Sequence, residues 1–185
     1  EALLKRENIS VEVFDARNIT KELDLVIYSS AYDTEHPERK RVHELGISEL
    51  SYAEALAEYA RSRKVIVVTG THGKTTTTAL LGTIFEAAGL DPTVLAGDIV
   101  KNWGSSVRFG KGKYFIVEGD EYQEKFRLFK PIGVLIPSLD WDHPDYFKTR
   151  EDYLNSFESW LKENKEAKVV RTFEKADEKI FEKAK

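Results

Sequence analysis

Cysteine is absent from the 185 residues, which excludes disulfides, thiolate metal centres and cysteine nucleophiles. An excess of either charge is also missing. Lys and Arg number 28 against 32 Asp and Glu, a net of −4. That balance argues against nucleic-acid or membrane-surface binding. No apolar stretch approaches the ~20 residues of a transmembrane helix. No signal peptide, basic leader, internal repeat or low-complexity tract is visible. These absences leave a soluble, cytoplasmic protein as the expectation, with no nucleic-acid or membrane partner. The length suffices for one sizeable core, or one and a half α/β domains. Oligomeric state is not legible.

What the chain does have is a phosphate loop. The apolar run Val65-Ile66-Val67-Val68 leads into Gly70-Thr71-His72-Gly73-Lys74-Thr75-Thr76, and Lys74 to Ala88 has helical periodicity. Small residues between strand and helix let backbone N–H groups curl around an anion, and the helix N-terminus adds its own donors. Lys74 is placed to reach the outer phosphates of a nucleoside triphosphate, and the Thr75 hydroxyl to bind Mg²⁺. The common form of this loop carries a further glycine where Val68 stands. His72 is open between an exposed loop residue and a catalytic one.

Around the loop the chain divides in two. Ser10 to Phe14 alternates like a short strand, Leu23 to Tyr28 reads as a buried strand, and Pro37 to Leu45 as a charged surface helix stopped by Gly46. Ser51 and Glu54 form a capping-box signature for a helix from Tyr52 to Arg61. Short connections in this pattern predict a parallel sheet. The basic cluster Arg61 to Lys64 marks the expected boundary, giving domains 1–62 and 63–185. In the second, Gly89 and Asp91-Pro92 end the loop helix, and strands follow at Tyr114 to Glu118 and Ile132 to Pro137. Thr149 and Asp152 open a further helix, whose Tyr153, Leu154, Phe157, Trp160 and Leu161 form a core-facing stripe. Ala167 to Phe173 reads as a last strand. The chain starts at Glu1 in what reads as a helix end and stops within a charged helical segment at Lys185, so it is expected to be a piece of a longer protein.

In an open parallel sheet, ligands bind beyond the carboxyl ends of the strands. Three strand ends carry suitable chemistry: the loop itself, Glu118-Gly119-Asp120-Glu121, and Asp140-Trp141-Asp142-His143-Pro144-Asp145. Carboxylates beside a triphosphate require a cation between them. Because Mg²⁺ prefers oxygen ligands, His143 reads on its chemistry as a hydrogen-bonding or acid–base residue.

Gly70 to Thr76, Glu118 to Glu121 and the Asp142-His143 pair together resemble the Mur ligase family, ATP-dependent amino-acid ligases of peptidoglycan synthesis. The resemblance runs from Tyr28-Ser29-Ser30-Ala31 to about Phe157. It implies an α/β chain: an incomplete Rossmann-like UDP-substrate domain on a parallel sheet, then an incomplete phosphate-loop ATPase domain. It also implies ATP and Mg²⁺ as cofactors. Lys74 would contact phosphate, Thr75 and Glu118 would bind one Mg²⁺, and Glu118 with His143 would serve a second. Lys74, Glu118 and His143 are thus the catalytic candidates, Gly70 to Thr76 the phosphate contacts, and Ser29, Ser30 and Ala31 the UDP-substrate side.

The alanine-adding branch is the nearest, implying UDP-N-acetylmuramate and L-alanine as substrates. The tripeptide-recycling branch is the alternative, since Glu121-Tyr122 resembles it. The absence of lysine from residues 149–161 argues against the glutamate- and diaminopimelate-adding branches. Ser138 stands where the family usually has Asn, and Ala96-Gly97 where it has a glycine pair. An unrelated phosphate-loop NTPase and a non-catalytic nucleotide-binding module remain as other classes.

Overall fold

The computed structural model describes residues 8–171, which fall into two compact units divided between Glu58 and Tyr59. In the first unit, β1 (Leu25–Tyr28) pairs in parallel with β2 (Ser48–Ser51), with Leu25 opposite Ser48 and Tyr28 opposite Ser51. Helix α1 (Pro37–Leu45) makes the crossover between them. Proline fits its first turn, where the missing N–H costs nothing. Gly46, at φ 66°, closes its end, and the N–H groups of Gly46 and Ile47 turn back onto the His43 and Val42 carbonyls. Val42 is fully buried. Arg39 lies 3.7 Å over the Tyr28 ring. Its guanidinium donates to both carboxylate oxygens of Glu49, at 2.6 and 3.2 Å.

Three expectations change here. Residues 10–14 form no strand. Alternation makes a strand only where a neighbour takes up its hydrogen bonds, and here the Asn18 side-chain amide takes the Val13 carbonyl instead. The strand Leu23 to Tyr28 is shorter and is not buried, with Leu25 at 43% and Ile27 at 54% exposure. Strand β2 was not foreseen, because Ser48-Glu-Leu-Ser51 is too polar to signal one. The predicted helix start was right. The Glu54 carboxylate accepts from Ser51 N–H at 2.7 Å, the Ser51 hydroxyl accepts from Glu54 N–H at 3.2 Å, and α2 spans Tyr52–Ala60. The expected helix end at 1–7 lies outside the described residues.

The second unit is built on six strands in the order β5-β4-β6-β3-β7-β8. They are β3 (Lys64–Val68), β4 (Thr93–Val100), β5 (Ser105–Arg108), β6 (Tyr114–Glu118), β7 (Gly133–Ile136) and β8 (Lys168–Arg171). All neighbours are parallel except β5, which runs back antiparallel to β4. Strand β3 is central, with Val68 opposite Glu118 on one side and Leu135 on the other. Its Val65 to Val68 run is almost wholly buried, the pattern of a strand covered on both faces.

One face holds Ile66, Val68, Val94 and Ile116, packed with Leu81 and Phe85 of helix α3 (Lys74–Ala87). Gly89 at φ 70° follows α3 as expected. Near the other face, Phe126 stacks on Phe157 at 4.8 Å and meets Trp160 at 4.7 Å. Phe126 comes from the turn after β6, while Phe157 and Trp160 belong to α4 (Arg150–Glu163), whose predicted stripe is buried at every position. Its N-terminus is the foreseen box between Thr149 and Asp152. The β4–β5 hairpin was missed, although Thr93-Val-Leu-Ala96 carries a strand signal. The charged end beyond residue 171 lies outside the described residues.

Candidate functional site

The sheet brings three strand ends to one edge, since β3, β6 and β7 are parallel neighbours. The loop leaving β3 is shaped by Gly70 at φ 124°, a conformation closed to side chains. A Cβ there would stand 2.3 Å from the Ser138 carbonyl oxygen. That approach lets the loop lean on the end of β7. Thr71 N–H donates to Ser138 O at 3.0 Å, and His72 N–H to Ser138 Oγ at 2.9 Å. A serine at position 138 therefore supplies a side-chain bond to the loop.

The loop encloses a hollow of about 260 Å³ lined by Thr71, His72, Gly73, Lys74, Thr75, Thr76 and Glu118. Six of the seven are loop residues expected from the sequence, and the seventh arrives from β6. Thr71 is turned inward. It is buried, and its hydroxyl bonds to the Asp140 carbonyl and lies 2.8 Å from the Tyr153 hydroxyl. Burial pushes that phenol far above its ordinary value, so it stays neutral. The Thr71 side chain therefore anchors the loop against Asp140 and α4.

Glu118 is fixed from both sides. Its Oε1 accepts from Thr75 Oγ1 at 3.1 Å, and its Oε2 from Gly97 N–H at 2.7 Å. A Cβ on Gly97 would lie 2.7 Å from that carboxylate, so glycine is required for the approach. The hydroxyl after the loop lysine and the carboxylate ending β6 thus form one oxygen-rich corner at the mouth of the hollow.

Lys74 points back into its own loop. Its Nζ donates to Gly70 O at 2.7 Å, Thr71 O at 3.1 Å and Glu121 Oε1 at 3.0 Å. The same Glu121 oxygen lies 3.2 Å from His143 Nε2. His143 is therefore joined to the loop through Glu121. The sequence named the strand end containing Glu121 but did not single out the residue. Its signal was position alone, as the last residue of the acidic strand end Glu118 to Glu121.

Three other acidic residues bond within or between the turns that follow β6 and β7. Asp120 binds Tyr122 N–H at 3.0 Å and Lys125 Nζ at 2.9 Å, Asp142 caps His143 N–H at 2.7 Å, and Asp145 accepts from Tyr122 OH at 2.9 Å. The Asp145 carboxylate raises the Tyr122 phenol above its ordinary value. Among the described residues, no three His, Asp or Glu side chains converge as a ready cation cage. Ser29, Ser30 and Ala31 belong to the first unit. They form an exposed turn after β1, with Ala31 N–H donating to Ser29 Oγ at 3.3 Å. Chemically, the hollow offers one ammonium, helix N-terminal donors and an oxygen pair, a set suited to a polyphosphate with a hard cation.

Residues 68–185 match the family described as Mur ligase middle domain, and residues 1–64 match the Mur ligase family, catalytic domain. The UDP-N-acetylmuramate–L-alanine ligase of Desulfitobacterium hafniense is 39% identical over 157 residues, covering 85% of this chain and 35% of that protein. The chain thus spans about a third of the curated relatives it matches. The crystal structure of UDP-N-acetylmuramate:L-alanyl-gamma-D-glutamyl-meso-diaminopimelate ligase from Neisseria meningitides superposes with a TM-score of 0.85 at 25% identity, over 98% of this chain and 63% of that one. The UDP-N-acetylmuramate–alanine ligase of Thermotoga maritima shares the fold, with a TM-score of 0.79 at 24% identity over 99% of this chain and 42% of that one. No helix among the described residues is long and apolar enough to cross a membrane.

Proposed function

The chain belongs to the Mur ligase family, and from that premise we propose that the protein is an ATP-dependent ligase joining L-alanine to the carboxylate of UDP-N-acetylmuramate in peptidoglycan synthesis. The observation that carries the chemistry is the corner where Thr75 meets Glu118 beside the Lys74 loop. The choice of alanine is supported by the names of the curated relatives. Residues 1–62 are proposed as the UDP-substrate part, with the Ser29 to Ala31 turn on the substrate side. Residues 63–185 are proposed as the ATP part. A cytoplasmic location is part of this proposal.

In this reading the phosphates of ATP lie in the hollow, against loop N–H groups and the N-terminus of α3. Lys74 neutralises the outer phosphates. Thr75 and Glu118 offer two hard oxygens, the donor set Mg²⁺ takes beside phosphate oxygens, and the ion would supply charge neutralisation there. Phosphoryl transfer demands chiefly positioning and charge compensation, which these residues provide. The γ-phosphoryl passes to the substrate carboxylate, the alanine amine attacks the acyl phosphate, and phosphate leaves. A second cation between Glu118 and His143 draws less support, because His143 Nε2 is bonded to Glu121.

The deciding experiment is ADP release by the full-length protein with Mg-ATP and UDP-N-acetylmuramate. It is run with L-alanine, with the tripeptide, and with neither. Dependence on L-alanine is expected. Dependence on the tripeptide would favour the recycling ligase, a reading supported by the likeness to the Neisseria enzyme. Release indifferent to both would sink the ligase reading. Lys74→Ala and Glu118→Ala are each expected to lower turnover by at least about a hundred-fold, through lost transition-state charge stabilisation.

A further inference from the structure

The loop lysine is already fully engaged by the protein itself. An ammonium has three donors, and Lys74 spends them on Gly70 O, Thr71 O and Glu121 Oε1. Glu121 is equally committed. It is 3% exposed, its Oε2 lies 2.9 Å from Nζ, and its Oε1 also meets His143 Nε2. Oε2 is buried without hydrogen-bond geometry to any partner, so the lysine's charge is what compensates it. A buried carboxylate is costly unless paired, and removing one partner of such a pair strands the other.

The backbone that delivers this carboxylate is held under strain. After β6 the chain turns through Gln123 and Glu124, both at φ 55°, and after β7 through His143, also at φ 55°. Side chains rarely adopt this conformation, and it persists only where surrounding contacts enforce it. Those contacts run between the two turns: Tyr122 OH to Asp145 at 2.9 Å, Tyr146 OH to Glu124 at 3.3 Å, and Glu121 to His143.

We propose that Glu121 is a positioning residue and the resident counter-ion of the phosphate loop. It holds Lys74 within the loop and His143 beside it, and an entering phosphate takes the lysine over. The inference rests on the nucleotide reading of the loop given above. Two effects of opposite sign follow. The carboxylate competes with phosphate for one cation, so its charge weakens nucleotide binding. Its geometry sets where Lys74 and His143 stand during turnover, so its loss slows the reaction. A residue serving packing alone would weaken both.

The test uses the full-length protein with ADP as the binding probe. Glu121→Gln keeps the shape and removes the charge. ADP is expected to bind about three- to ten-fold more tightly by calorimetry, the effect of deleting one partly screened like charge. Ligation kcat is expected to fall about ten-fold or more, with KM for ATP not raised. Unchanged or weaker ADP binding overturns the proposal, and so does an unaltered kcat. If Glu121→Gln does not fold, Glu121→Asp carries the test. Shorter by one methylene, it must tighten ADP binding by a smaller factor, and parental affinity overturns the proposal. A parent protein that binds no ADP overturns the nucleotide reading and this proposal with it, an outcome distinct from any behaviour of the variants.

Discussion

Two apolar runs of similar composition, Leu25-Val-Ile-Tyr28 and Val65-Ile-Val-Val68, form strands with opposite fates. Among the described residues the first pairs on one side only, in a two-stranded sheet, and its residues alternate between exposed and half-covered. The second has a parallel neighbour on each side, with α3 residues packed on one face and the Phe126 cluster near the other, and its four residues are buried. Composition announces a strand in both cases. Burial is conferred by what lies alongside, which a local run does not encode.

The contrast is broken most severely just beyond β3, where the central strand becomes the loop. Gly70→Ala has no room for its Cβ against Ser138 O and no relaxed conformation at φ 124°. ADP binding by the full-length protein is expected to fall at least about a hundred-fold, measured by calorimetry. Next comes Val67→Ala, which empties a fully buried site in the middle of the sheet. A loss of about 2 kcal/mol is expected in urea unfolding. All three tryptophans, Trp103, Trp141 and Trp160, lie in the second unit, so their fluorescence reads that unit selectively.

A smaller effect is expected from acid in the first unit. The Arg39 guanidinium holds the Glu49 carboxyl below its ordinary value of 4.5. The folded value is depressed, so the pair stabilises fully above the ordinary value and is lost as pH falls through the lower one. Hydrogen-exchange protection of residues 39–51, taken relative to the intrinsic rate at each pH, should fall over that window in the parent. In Glu49→Gln that protection should be lower at neutral pH and less dependent on acid. The smallest effect belongs to Ile27→Ala. At 54% exposure it should cost less than about 0.5 kcal/mol and leave the tryptophan transition unmoved. A large effect there would erase the contrast between the two strands.

Legibility followed the same division. Residues 70–76 announced the loop because strand, glycines, lysine and helix are contiguous in the chain. The boxes at Ser51 and Thr149 were readable for the same reason, each being completed within four residues. Strand β2 and the β4–β5 hairpin were not seen, since Ser48-Glu-Leu-Ser51 and Ser105-Ser-Val-Arg108 become strands only through a neighbour's hydrogen bonds. Within the candidate site, Glu118 was named from the end of its strand. Its approach to Thr75, 43 positions away, was implied only by the family resemblance, and its contact with Gly97, 21 positions away, was not foreseen.

The sequence by itself determined that a phosphate loop follows a buried strand and opens a helix, that two further acidic strand ends exist, and that α4 has one apolar face. These are local patterns, set by residue types a few positions apart. Only the tertiary structure decided which carboxylate meets which cation. Glu118 turns to Thr75, Glu121 takes Lys74 and His143, Asp120 and Asp142 are spent on their own turns, and Asp145 ties the second turn to Tyr122 of the first. The reason is physical: a carboxylate's role depends on burial and on the charge opposite it. Both are fixed by strand order and by the strained turns after β6 and β7, not by the carboxylate's neighbours in the chain.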